Sequence, residues 1–215
     1  MRLAIVTVCA GVGLYCGAAQ ADDNWYATAK FGFNTLGDQT VSYVGPGGSS
    51  SGNTKFDGGF AAGGAVGYEF GNNWRLEGEV LYRTSELDTA DVAGLGTFTE
   101  GDYSSVAIAV NGLYDFNLFG NENVKTYVGA GLGWLQEIDI DFEQDGVEQS
   151  FSTDDIGFQA MFGARYELGE NWFIDAEARY FFASDIEMTA EDNAIGTITA
   201  DYDPLTFAVS VGLSF

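Results

Sequence analysis

The chain has 215 residues, 46% of them hydrophobic, and a mean hydropathy near zero, which fits one domain and excludes a disordered acidic tail. Its 30 glycines, 2 prolines and 15% aromatic residues favour strands joined by glycine turns, because Gly weakens helices and rings suit pleated surfaces. A formal net charge of −24 argues against nucleic acid as a partner.

The first stretch, MRLAIVTVCAGVGLYCGAAQA, carries Arg2, an apolar run from Leu3 to Tyr15, and a small-x-small site at Ala19-Gln20-Ala21. It predicts a signal peptide over 1–21 and a mature domain over 22–215. The apolar run is too short to cross the roughly 30 Å of a bilayer core. Leu14 and Tyr15 are too bulky to precede a lipid-bearing Cys16. Cys9 and Cys16 both fall in this segment, so the mature chain is expected to fold without a disulfide.

Eight alternating stretches follow, beginning near Trp25, Phe60, Trp74, Ser104, Val124, Ile156, Trp172 and Leu205, and none has a helical period. Short connections (Gly71 to Asn73, Asn117 to Asn123, Gly169 to Asn171) alternate with long ones (Leu36 to Asp57, Glu86 to Asp102, Asp139 to Asp154, Asp185 to Asp203). Antiparallel neighbours closing a membrane barrel produce that order, with tight turns on one rim and long loops on the other. YEFGNNWRLEGEV at Tyr68 returns as YELGENWFIDAEA at Tyr166, and each copy reads as a hairpin around a tight turn. In the first long connection VGPGGSSSGN reads as flexible. In the third, Asp145-Gly146 reads as a turn between two extended arms that project beyond the bilayer.

Parity sets the two faces. Trp25, Ala27, Ala29, Phe31 and Phe33 oppose Tyr26, Thr28, Lys30, Gly32 and Asn34, and the stretches from Trp74, Trp172 and Leu205 repeat the division. Alternation alone leaves open which face is inside. Large aromatics cluster at the ends of the apolar face, with Trp25, Phe70, Trp74, Phe116, Trp172 and Phe215 toward the short turns and Phe33, Phe60, Tyr82, Trp134 and Phe182 toward the long loops. Such girdles mark the two membrane interfaces, so the apolar face is expected to meet lipid.

NGLYDF at Asn111 to Phe116, TYVGAGLGW at Thr126 to Trp134, the YEFGNNW hairpin and the terminal FAVSVGLSF resemble the small outer-membrane β-barrel family of porin-like bacterial surface antigens. That family is itself similar to the transmembrane domain of outer-membrane protein A. The resemblance covers essentially the whole mature chain. It implies an all-β fold, an eight-stranded antiparallel up-and-down transmembrane β-barrel with short periplasmic turns and long extracellular loops, in the cell outer membrane. It also implies that Phe215, with Phe207, Val209, Val211 and Leu213 at alternating positions, is the signal read by the barrel-assembly machinery. No peptidoglycan-binding domain is expected after Phe215.

The chain has no histidine, and neither catalysis nor a cofactor or metal centre is expected. Paired carboxylates such as Glu77 and Glu79 alternate with Arg75 and Arg83 and read as ion-pair members. Seven basic residues follow Arg2, and all but Lys55 fall on the polar parity: Lys30, Arg75, Arg83, Lys125, Arg165 and Arg179. They meet Glu69, Glu77, Glu79, Asp115, Glu167, Asp175 and Glu177 there, which predicts an ion-paired network filling the lumen. The third loop carries Glu137, Asp139, Asp141, Glu143, Asp145, Glu148, Asp154 and Asp155, and the fourth Asp185, Glu187, Glu191, Asp192, Asp201 and Asp203. These acids read as a solvated rim, with weak binding of divalent cations as the sharper alternative. The function expected is a non-enzymatic structural or surface-interaction role with a closed lumen and a surface partner the sequence does not name. The alternative is a narrow porin-like channel for ions or small solutes, for which Gly129, Gly131, Gly133, Gly157 and Gly163 leave room.

Overall fold

A computed structural model describes residues 24–93, 96–121, 123–144, 147–191 and 194–215. The predicted signal segment, both cysteines, the Asp145-Gly146 turn and Asp192 lie outside these residues.

The described residues form twelve strands: β1 (Trp25–Thr35), β2 (Gln39–Gly45), β3 (Gly48–Phe56), β4 (Gly59–Phe70), β5 (Trp74–Val92), β6 (Gly96–Phe98), β7 (Glu100–Phe116), β8 (Val124–Gln144), β9 (Val147–Glu167), β10 (Trp172–Glu191), β11 (Thr197–Tyr202) and β12 (Leu205–Ser214). Four of the twelve, β2, β3, β6 and β11, come from the predicted long connections, so the described strands outnumber the eight expected. Every ladder is antiparallel. Pairings run β1–β4–β5–β7–β8–β9–β10–β12 and back to β1. A ladder that returns to its first strand leaves no open edge.

Tight turns close the end near Trp25. At Gly71 to Asn73, Asn73 takes a left-handed φ of 69°, a conformation that Asn tolerates better than most residues. Its carbonyl accepts from Asp115 N–H at 2.8 Å. At the corresponding turn before Trp172, Asn171 accepts from Ser214 N–H at 2.8 Å and donates its side-chain amide to Ser214 O at 3.0 Å. Phe215 N–H donates to Trp25 O at 2.8 Å, so the last residue is fastened to the first strand.

At the opposite end the chain builds a second storey. β2 and β3 form a hairpin through VGPGGSSSGN, with Gly48 at φ 110°, so the flexible reading of that stretch is corrected. β5, β3, β2, β11 and β10 are then linked in that order, beyond the point where β4, β1 and β12 end, and β6 adds to β5.

The two storeys face opposite ways. In the lower one the polar parity is buried and the apolar parity exposed, as the alternation Trp74 out, Arg75 in, Leu76 out, Glu77 in shows on β5. In the upper one Ile138, Ile140, Phe142, Phe151, Ile186, Met188, Ile198 and Tyr202 pack into one apolar core. Register shifts lie between: Val106/Ala107 in the β7–β8 ladder, Leu135/Ile138 in β8–β9, Lys55/Phe56 in β3–β5 and Ala183/Ile186 in β10–β11. Each shift advances the strand by one side, because side chains alternate with period two. On β8 the inward series Tyr127, Gly133, Leu135 is odd and the series Ile138, Ile140, Phe142 is even. Without the shift Asp139 and Asp141 would have taken inward positions in the apolar core.

Candidate functional site

The inward face of the lower storey carries most of the charge that the alternation predicted. Lys30 on β1 donates to Glu79 at 2.6 Å and lies 3.7 Å from Glu77 and 3.9 Å from Glu177. Arg179 on β10 reaches across to Glu79, bonding both oxygens, and holds Glu177 at 2.7 Å. Nearer the short turns, Arg75 pairs with Asp115 at 2.8 Å and approaches Glu77 at 3.7 Å. Arg165 bridges Asp175 at 2.9 Å and Glu69 at 2.6 Å. Lys125 and Glu167 meet at 3.2 Å on the more exposed rim.

Neutral side chains that the charge pattern did not single out complete the lining. Tyr26 donates to Glu77 at 2.6 Å and Tyr127 to Glu177 at 3.1 Å. Gln159 donates to Asn111 at 2.5 Å. The Arg165 guanidinium lies 3.5 Å from the Phe173 ring centre and 4.6 Å from that of Tyr26, while Arg75 stands 4.6 Å from Tyr127. Cations over ring faces gain electrostatic attraction while excluding water. Tyr26 and Tyr127 stand on the polar parity, and that placement was the available signal for them.

Arg83 is the correction within the predicted network. It is fully buried, yet its one hydrogen bond among the described residues runs from Nε to Thr206 Oγ1 at 3.2 Å. No carboxylate pairs with it there. Its position between the charged lower storey and the apolar upper one accounts for this: Arg83 faces Ser105 in the ladder and packs against Phe181 at 5.2 Å.

The glycines read as leaving room do so for neighbouring side chains. A Cβ at Gly129 would meet Met161, at Gly131 Asn111, at Gly133 and Gly157 the ring of Phe181, and at Gly163 the ring of Tyr127, all within 2.1 to 2.7 Å. The small-residue stripe is therefore the socket for a row of larger groups. Above it Tyr103, Tyr202, Phe142 and Phe151 are buried, and burial holds the Tyr103 phenol well above its ordinary range, so it stays a neutral donor.

On the outward face, nine of the eleven predicted girdle residues are exposed, and Phe116 and Tyr82 are half-buried. Neighbouring rings meet in pairs, Trp25 with Tyr68 and Trp74 with Tyr114 at 5.1 Å, and Phe60 with Tyr82 at 5.7 Å. Phe207, Val209, Val211 and Phe215 are also exposed, with Leu213 half-buried.

Several of the long-loop acids accept hydrogen bonds. Asp203 accepts from Gln39 at 2.5 Å and Tyr180 at 3.1 Å, and Asp201 accepts from Asp185 N–H at 2.9 Å. Asp154 accepts from Trp134 at 3.4 Å. Among the described residues no three acids gather as a cation site would need.

The sequence family described as outer membrane protein β-barrel domain matches residues 7–215. An outer membrane protein of Gluconacetobacter diazotrophicus is 32% identical over 162 residues, covering 68% of this chain and 43% of the relative. Outer membrane protein AlkL of Ectopseudomonas oleovorans is 30% identical over 126 residues, 58% of this chain and 50% of the relative. Outer membrane protein W of Salmonella typhi is 29% identical over 130 residues, 56% and 60% of the two chains. The chain thus spans about half the length of these curated relatives. Among solved structures, Neisserial surface protein A shares the fold with a TM-score of 0.52 at 18% identity, covering 89% of this chain and 97% of that one. A major outer membrane protein of Thermus thermophilus does so at 0.51 and 16% identity, covering 87% and 99%.

Proposed function

The chain belongs to the outer membrane protein β-barrel domain family and sits in outer-membrane lipid, and from that premise we propose a non-enzymatic structural or surface-interaction protein with a closed, ion-paired lumen. In this reading the lower storey is an eight-stranded transmembrane barrel, its tight turns periplasmic and its upper storey extracellular. Residues 1–21 are the signal peptide, and the series Phe207, Val209, Val211, Leu213 and Phe215 is offered to the barrel-assembly machinery. The upper storey presents an acidic surface to the outside.

One observation carries the closed lumen: Lys30, Glu77, Glu79, Glu177 and Arg179 meet in the middle of the ring, every one of them buried. A cluster of that kind fills the interior of a small barrel and leaves its charges little reason to part. The filled glycine sockets and the apolar storey above support the same reading.

Planar-bilayer recording tests it. The unaltered protein should be nearly silent, and Arg75→Ala, which deprives Asp115 of its 2.8 Å partner, should conduct more or unfold sooner. Steady cation-selective current through the unaltered barrel, with no loss of stability in the variant, would favour the narrow channel instead.

A further inference from the structure

Among the described residues nine charged side chains are buried in the ring, five cations (Lys30, Arg75, Arg83, Arg165, Arg179) and four carboxylates (Glu77, Glu79, Asp175, Glu177). The half-buried Asp115 and Glu69 also face this ring, against Arg75 and Arg165. The four carboxylates are already engaged by Lys30, Arg75, Arg165 and Arg179, with Tyr26 and Tyr127 assisting. Among the described residues Arg83 is the buried cation that no carboxylate pairs with.

Its surroundings are fixed. Thr206 accepts from Arg83 Nε and donates its own proton to Asn34 Oδ1 at 2.9 Å, and Asn34 donates onward to Ser85 at 2.8 Å. Arg83 Nη1 and Nη2 are buried with no hydrogen-bond partner. The Tyr103 hydroxyl is also buried without one, and Tyr103 occupies the next inward position on β7 beyond Ser105, the ladder partner of Arg83. A buried guanidinium without a counter-charge is costly, and its two unused nitrogens are donors that a negative ligand satisfies.

We propose that Arg83 binds a small monovalent anion, a halide or the carboxylate of a small acid, inside the barrel at the junction of its two storeys. The two free nitrogens form one edge of a planar fork, which matches two carboxylate oxygens or a single ion seated between them. A single negative charge would supply the counter-ion that no carboxylate among the described residues gives Arg83. Water alone would satisfy the donors and leave the charge. The site stands whether or not the lumen conducts.

The test uses the full mature chain refolded in detergent, with sulfate as the reference salt at constant ionic strength. Sodium bromide and sodium acetate are each titrated against the urea unfolding midpoint. A saturating rise with either anion is expected, lost in Arg83→Met and kept in Arg83→Lys with at least several-fold weaker half-saturation. A response to bromide alone identifies a halide site, and a response to acetate alone a carboxylate site. A flat midpoint with both anions, or an equal rise in Arg83→Met, would overturn the proposal. Should Arg83→Met fail to fold, anomalous scattering from crystals of the unaltered protein grown in bromide decides: bromide against Nη1 or Nη2 supports the site, and water alone there refutes it.

Discussion

Arg179 on β10 donates through both terminal nitrogens to the two carboxylate oxygens of Glu79 on β5, across the ring from it and 100 residues away in the chain. A bidentate pair fixes orientation as well as distance, so it ties the rotation of one strand to that of another with which it shares no ladder. Arg179→Ala should therefore destabilise the barrel by about 3 to 5 kcal/mol, because Glu79 keeps only Lys30. Replacing both residues by Met should cost less than the single change, since no charge is then stranded in that pair. Urea unfolding of the two singles and the double in lipid vesicles measures the coupling.

The upper storey gives a prediction about adjacent residues. Ile140 is fully buried and Asp141 lies on the other side of β8, so Ile140→Lys should break the upper core while Asp141→Lys leaves it folded. The lower ring makes its own closed ladder and should survive both changes. Limited proteolysis of the protein in vesicles separates the cases: Ile140→Lys should lose the segments beyond the register shifts and retain a protected membrane core. Equal resistance of the two variants would place Ile140 outside the core.

Legibility in the sequence followed the same boundary. In the lower storey period two runs unbroken, so Trp74, Leu76 and Val80 could be set against Arg75, Glu77 and Glu79 without any structure. At Gln136 and at Ser184-Asp185 the parity resets, and in the long connections beyond, the acids obscured an apolar series on the opposite side that includes Ile140 and Met188. Partner choice was hidden for a different reason. Parity puts Arg83 and Arg179 on one face alike, but only the height of each around a closed ring decides that Arg179 meets Glu79 and Arg83 meets none.

The carboxyl-terminal strand should be needed for assembly as well as for closure. Deletion of Phe215 removes an exposed ring and the backbone bond to Trp25 O, while β12 keeps its ladders to β1 and β10. Purified variant refolding into detergent at near-normal yield, with reduced amounts in the outer membrane of cells, is the expected pair of results. Unchanged amounts in cells would remove the assembly role from this residue.

The last prediction concerns the sockets. A Cβ at Gly157 would lie 2.4 Å from the Phe181 ring and 2.9 Å from the backbone oxygen of Phe182, so Gly157→Val has to displace a ring that is itself fully buried. Overpacking of this sort costs about 1 to 3 kcal/mol. Phe181→Ala should cost about 3 to 5 kcal/mol by leaving a cavity between Gly133, Gly157 and Arg83. Combining the two changes should cost less than the sum, because the added valine occupies part of the space the ring vacates. Urea midpoints of the three variants give the comparison. Strict additivity would mean that Phe181 does not fill the glycine stripe, and the lumen would then have the continuous small-residue path that a channel requires.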